Sequence, residues 1–172
     1  MPGWDNDYVQ LIRIRVESFV SPDIRRFLMT NTFELCHKYP LFSELNSEQM
    51  SAIRKLCKEE CFYPGYTLFE DGDPAKKLYV LADGEVEVFY AIGEAGMVQV
   101  DQVGQWEILG CSALVPPYLY TSTVRPRTRI EVLELDATAL LELFEADPRL
   151  AVMIQNQVIN CLLARIINLR LG

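Results

Sequence analysis

The sequence predicts a mainly β fold with flanking helices: an antiparallel, jelly-roll-like β-roll with helices at both termini. Three observations carry this expectation. Apolar residues recur at helical spacing up to Cys57 and again after Asp136. Between Cys61 and Leu135 the pattern shifts to a period of two, as in half-buried strands. That middle stretch is cut at short intervals by turn pairs, Pro64-Gly65, Asp71-Gly72, Asp73-Pro74 and Asp83-Gly84, the spacing of an antiparallel sandwich or barrel.

The elements follow in order. Residues 8–39 read as two helices, the second starting at Ser21-Pro22-Asp23: Ser as cap, Pro at the first helical position, an acid near the positive end of the dipole. Pro40 stops it, which makes 1–39 a helical extension and 40–172 the main domain. Asn46-Ser47-Glu48-Gln49 is a capping arrangement ahead of Met50, Ile53, Leu56 and Cys57 on one face, with Lys58-Glu59-Glu60 as the helix's charged tail. Strands are expected at Phe62-Tyr63, Tyr66–Phe69, Leu78–Leu81, Glu85–Tyr90 and Met97–Val103, with Tyr120–Val124 and Thr128–Leu135 as a closing pair. Asp83-Gly84 is a tight-hairpin signal. C-terminal helices over 137–171 complete the chain, with Asp147-Pro148 restarting the second of them.

Composition narrows the function. In 172 residues, 16 basic side chains stand against 24 acidic ones, a net charge of −8. Domains that live on phosphate contacts carry basic surfaces, because affinity comes largely from counterions released by Lys and Arg, so direct nucleic-acid binding is disfavoured. Five scattered cysteines, an odd number, and no basic-then-apolar leader describe a reduced, cytoplasmic chain with free thiols. No stretch reaches the ~20 apolar, uncharged residues of a membrane helix. The nearest, Leu150 to Ala164, holds Gln155, Asn156, Gln157 and Asn160 and is followed by Arg165.

The order helices, β-roll, helices resembles the cyclic-nucleotide-binding domain, the sensor fold of bacterial catabolite activators, kinase regulatory subunits and cyclic-nucleotide-gated channels. The resemblance runs from Pro40 to about Arg170. It rests on Pro40-Leu41-Phe42 with Leu45, Tyr63-Pro64-Gly65-Tyr66, Leu68-Phe69-Glu70-Asp71-Gly72-Asp73, Leu78-Tyr79-Val80 and Gly84-Glu85-Val86-Glu87-Val88. It implies a phosphate-binding cassette at Leu109–Val115 and the residues that follow. There the family's pattern breaks. Cys111 stands where the resemblance expects a ribose-binding glutamate, and Tyr120, nine positions on, stands where it expects a phosphate-binding arginine. Trp106 occupies a position that is usually glycine. The implied ligand contacts are therefore Gly110, Cys111, Ser112, Ala113, Tyr120, Thr121 and Ser122, which offer neutral donors and no permanent cation. A buried anion that loses its charged partner is destabilised by about 3–5 kcal/mol, a factor of hundreds to thousands in affinity.

Competing readings are weighed residue by residue. Tyr120 either fills the empty phosphate site with its ring or packs on the sheet with its hydroxyl at the rim. Cys111 reads as a small buried hydrophobe rather than a redox, haem or metal ligand. Cys57 and Cys61 have a spacing that some zinc sites use, but no second pair lies near in sequence. His37 is the only histidine, so a His-rich metal centre and a Ser-His-Asp triad are disfavoured, and no metal or other cofactor is expected. Arg125, Arg127 and Arg129 share strand parity and read as a solvated face balanced by Glu131, with an anion site as the alternative. The last helix is apolar around much of its circumference: Met153, Ile154, Val158, Leu162, Ile166 and Leu169 mark a face for a homodimer or a docked partner.

The resulting expectation is a non-enzymatic regulatory module with a degenerate cassette. It binds cAMP or cGMP weakly if at all, and acts through protein contacts or an atypical small ligand. The alternative is a genuine cAMP or cGMP sensor with a variant cassette. With no winged helix after the last helix, a catabolite-activator-type transcription factor is incomplete in these 172 residues.

Overall fold

The computed structural model describes residues 40–93 and 96–171, with side chains through residue 167. The two helices expected over 8–39, together with Cys36, His37 and the Leu169 side chain, lie outside the described residues. The chain divides into two units, Met1–Leu35 and Cys36–Gly172, and the fold below is that of the second.

A short 3-10 turn, Pro40–Phe42, precedes helix α1, Ser47–Leu56. The expected cap is present in reciprocal form: Asn46 Oδ1 accepts from the Gln49 N–H at 2.9 Å, and the Asn46 N–H donates to Gln49 Oε1 at 3.2 Å. The helix is shorter than its charged tail suggested. Cys57 has extended backbone and opens strand β1, Cys57–Phe62, so Lys58-Glu59-Glu60 is strand, not helix. Since β1 lies at the edge of its sheet, exposed charges there block further strand addition.

Six more strands follow: β2 Lys77–Asp83, β3 Val86–Ala91, β4 Met97–Val103, β5 Ile108–Leu109, β6 Thr123–Pro126 and β7 Ile130–Asp136. They form two antiparallel sheets, ordered β1-β7-β2-β5 and β4-β3-β6. Two strand expectations are corrected. Tyr66–Phe69 is confined between two turns and makes only one isolated bridge, Phe69 to Val124. The closing pair also starts later than expected, and its strands do not pair with each other: β6 joins β3, while β7 sits between β1 and β2.

The core has two sides. Tyr79, Leu81, Val86, Val88, Ile130 and Val132 pack inside the roll with Phe69 and Tyr120. Leu78, Val80, Leu133 and Leu135, of opposite strand parity, are also buried and face the helical side. A strand covered on both faces reads as a continuous apolar run, which is how Leu78–Leu81 appears in sequence. Asp83-Gly84 turns the chain but does not close the tight hairpin expected there: the strands on either side, β2 and β3, belong to different sheets and do not pair with each other. Gly84 has φ +87, and a Cβ there would lie 2.4 Å from the Arg129 carbonyl, so only glycine fits.

Two helices close the domain. In α2, Ala137–Ala146, Asp136 caps the first turn through Ala139, and Leu140 and Phe144 are buried. In α3, Pro148–Leu171, the Asp147 carboxylate accepts from the Arg149 and Leu150 N–H groups at 3.1 Å. Leu150, Ile154 and Val158 bury α3 against α2 and the Pro40–Phe42 turn. By length and composition Pro148–Ile167 is apolar enough to cross a membrane, contrary to the expectation that no stretch qualifies. Leu150, Ile154 and Val158 dock one side of it on the rest of the domain.

Candidate functional site

The cassette starts where β5 leaves β2. Leu109 pairs with Tyr79, and Gly110 then turns the chain with φ +76. A Cβ on Gly110 would sit 2.9 Å from the Lys77 carbonyl and 3.1 Å from the Tyr120 ring, so glycine is demanded both by conformation and by close approach. A one-turn 3-10 helix, Cys111–Leu114, follows. Its Ala113 N–H is taken by the Gly110 carbonyl at 3.0 Å, which removes one of the backbone donors expected for a ligand.

A cleft of about 210 Å³ opens beside this turn. Gly110, Cys111, Ser112, Thr121 and Ser122 line it, so five of the seven expected residues share one cavity. The Ser112 and Thr121 hydroxyls lie 3.3 Å apart across it. The other two, Ala113 and Tyr120, belong to the buried cluster inside the roll. Of the two readings of Tyr120, packing describes its ring, but its hydroxyl is not at the rim. Its ring stacks on Phe69 at 3.9 Å, and its hydroxyl donates to the Lys77 carbonyl at 2.8 Å while accepting from the Lys77 N–H at 3.2 Å. It neither fills the cleft nor reaches a rim; it ties the cassette to β2. Burial pushes its phenol up to about 12, opposed by the Lys77 N–H. Cys111 is half-buried, and that burial pushes its thiol up to about 11 against the pull of nearby Arg165. The inert-thiol reading fits this environment.

The arginines of 125–129 stay on the surface. Arg125 lies over the Phe89 ring at 5.5 Å, Arg127 pairs with Glu85 at 3.4 Å, and Arg129 pairs with Glu131 at 2.6 Å. The solvated-face reading describes them.

One expectation is overturned. The cleft does contain a cation: Arg165, from α3, lines it together with Leu162. Its Nε lies 3.4 Å from Asp101 Oδ2, its Nη2 lies 4.0 Å from Glu107 Oε2, and Nη2 donates to the Ile108 carbonyl at 3.4 Å. Nε is buried and has no hydrogen-bond acceptor. Asp101 reaches the cleft because β4 bulges. Val88 pairs with Asp101 and Phe89 with Gln99, which leaves Val100 as the extra residue. The bulge turns both Val100 and Asp101 toward the cavity, where a regular strand would have sent one of them outward. Among the described residues no His/Cys/Asp/Glu group is arranged to hold a metal.

An antiparallel roll with a short helical turn and a flanking helix defines the class of cyclic-nucleotide sensor folds. Residues 59–147 match the cyclic nucleotide-binding domain family, and the chain belongs to it. A crystal structure from Geobacter metallireducens, named as a cyclic nucleotide-binding protein, is 31% identical, with a TM-score of 0.71 over 77% of this chain and 96% of that one. The cAMP-dependent protein kinase regulatory subunit of Pyricularia oryzae is 29% identical over 81% of this chain and 34% of its own length. The regulatory subunit of a cAMP-independent protein kinase A from Trypanosoma brucei shares the fold at 20% identity, with a TM-score of 0.62 over 83% of this chain and 47% of that one. It was solved with cAMP in its A site as a triple mutant, one of whose substitutions introduces an arginine. The chain spans about a third of the length of the kinase regulatory subunits it matches.

Proposed function

We propose that this domain is a non-catalytic regulatory module whose cleft does not hold cAMP or cGMP tightly, and which signals through protein contacts made by α3. The observation that carries the reading is the state of the cleft's cation. Arg165 is flanked by two carboxylates, Asp101 and Glu107, so the guanidinium and its neighbours sum to one negative charge before any ligand arrives. An anionic phosphate entering there meets repulsion where the resemblance leads one to expect a phosphate-binding arginine. The cleft is also small: about 210 Å³, against the roughly 300–1,000 Å³ of ordinary small-molecule sites.

Thermal unfolding with 1 mM cAMP or cGMP tests this. A ligand held at about 10 μM would stabilise the fold by about 2.7 kcal/mol, a rise of roughly 5–10 °C in Tm. The expected shift is below about 1 °C, and a rise of several degrees overturns the reading. The second reading, a variant sensor, has Arg165 itself in its favour, and that rise is what it predicts.

A further inference from the structure

We infer that Asp101, in the cleft, and Glu107, which faces Arg165 from outside the cleft lining, determine its specificity: they withhold Arg165 from anions, leaving the cavity to small ligands without negative charge, and their neutralisation exposes a latent anion site. The inference deepens the proposed function and rests on it. Three features of the geometry lead here. First, Arg165 has one buried donor, Nε, with no hydrogen-bond acceptor, and its remaining contacts at 3.4 and 4.0 Å are long for charge-assisted bonds of about 2.7–2.9 Å. The guanidinium is thus electrostatically engaged without being satisfied. Second, both carboxylates have other bonds that fix them in place. Asp101 Oδ1 accepts from the Gln102 N–H at 2.8 Å, and Glu107 Oε2 accepts from the Gly104 N–H at 3.0 Å. They are held beside the arginine by the backbone, not drawn there by it. Third, the neutral donors that an anion would also use, the Ser112 and Thr121 hydroxyls, line the same cavity. The parts of an anion site are present, and the two carboxylates cancel it.

Asp101→Asn and Glu107→Gln keep shape and leave a carbonyl oxygen for Gln102 and Gly104 respectively. In the full chain, the double variant titrated with inorganic phosphate and with cAMP is expected to bind at least one of them tenfold or more tighter than the unmodified chain does. Adding Arg165→Gln should abolish the gain. No gain in the double variant, or a gain that survives loss of Arg165, overturns the inference. If the double variant does not fold, as judged by its unfolding transition, each single substitution serves, with a threefold gain that depends on Arg165 as the criterion and its absence as the refutation. A tenfold gain for phosphate alone places the site at an anion of that size; a gain for cAMP as well places the whole nucleotide in the cleft. Tight cAMP binding by the unmodified chain is a separate result, which would remove the proposed function itself.

Discussion

Tyr120 shows how a substitution at a cassette position changes role rather than merely deleting one. Stacked on Phe69 and bonded twice to Lys77, it joins the cassette to the central sheet. Tyr79, across the same cluster, is likewise pushed above its ordinary value, chiefly by burial. For both phenols the folded state holds the proton more firmly than the unfolded chain, whose tyrosines ionise near pH 10. The unfolded state therefore loses protons first, and stability falls as pH rises from about 10 through 12. Urea midpoints between pH 8 and 11.5 are expected to fall from about pH 9, where the Cys111 thiol ionises first in the unfolded chain, and more steeply above pH 10, with a smaller drop in Tyr120→Phe. A level profile to pH 11.5 would contradict the burial described for these rings. In sequence the break at 111 and 120 was visible, but the cation that shares the cleft was not. Arg165 lies 64 positions from Asp101, and a bulge hides the parity that brings Asp101 inward. Neither periodicity nor motif spacing encodes that pairing.

At the scale of elements, what could be read depended on whether the signal was local. The Asn46 capping box forms as expected because it is decided within four residues, whereas the hairpin expected at Asp83-Gly84 fails because its two strands find partners in different sheets. Lys58-Glu59-Glu60 misled because an exposed edge strand and a solvated helix tail have the same composition, and only pairing with β7 distinguishes them. The separation of β6 and β7 into different sheets is likewise a long-range outcome. Helix α3 divides by face. Ile154 is buried, whereas Val152, Ile159, Leu163, Ile166 and Ile167 are each about half exposed. Ile154→Ala should cost about 2–5 kcal/mol in the unfolding free energy. Ile159→Ala should cost less than about 0.5 kcal/mol in the dilute chain. This corrects the partner face expected from sequence, Met153, Ile154, Val158, Leu162, Ile166 and Leu169, because Ile154 and Val158 are used inside the domain. If the partner contacts proposed for α3 fall on its exposed residues, replacing Ile159 and Leu163 by lysine should leave the fold intact and shift any dimer seen by sedimentation equilibrium toward monomer. Equal stability costs for Ile154→Ala and Ile159→Ala would mean that the helix is seated differently.

For the whole molecule, the net charge of −8 and the two-to-one carboxylate balance around Arg165 act in the same direction as the proposed function, away from phosphate. Family membership could be read from the ordered turns, since the backbone requirements of the roll fix glycines such as Gly84 and Gly110 whatever the ligand. Ligand preference could not be read this way, because it is set by side chains from three separate elements meeting at one cavity. Isothermal calorimetry of the unmodified chain with cAMP and cGMP, at moderate ionic strength and neutral pH, addresses that preference most directly. The account predicts no saturable heat for either nucleotide below about 1 mM, a binding free energy weaker than about −4 kcal/mol. A saturable, one-to-one isotherm with a low-micromolar dissociation constant would contradict it.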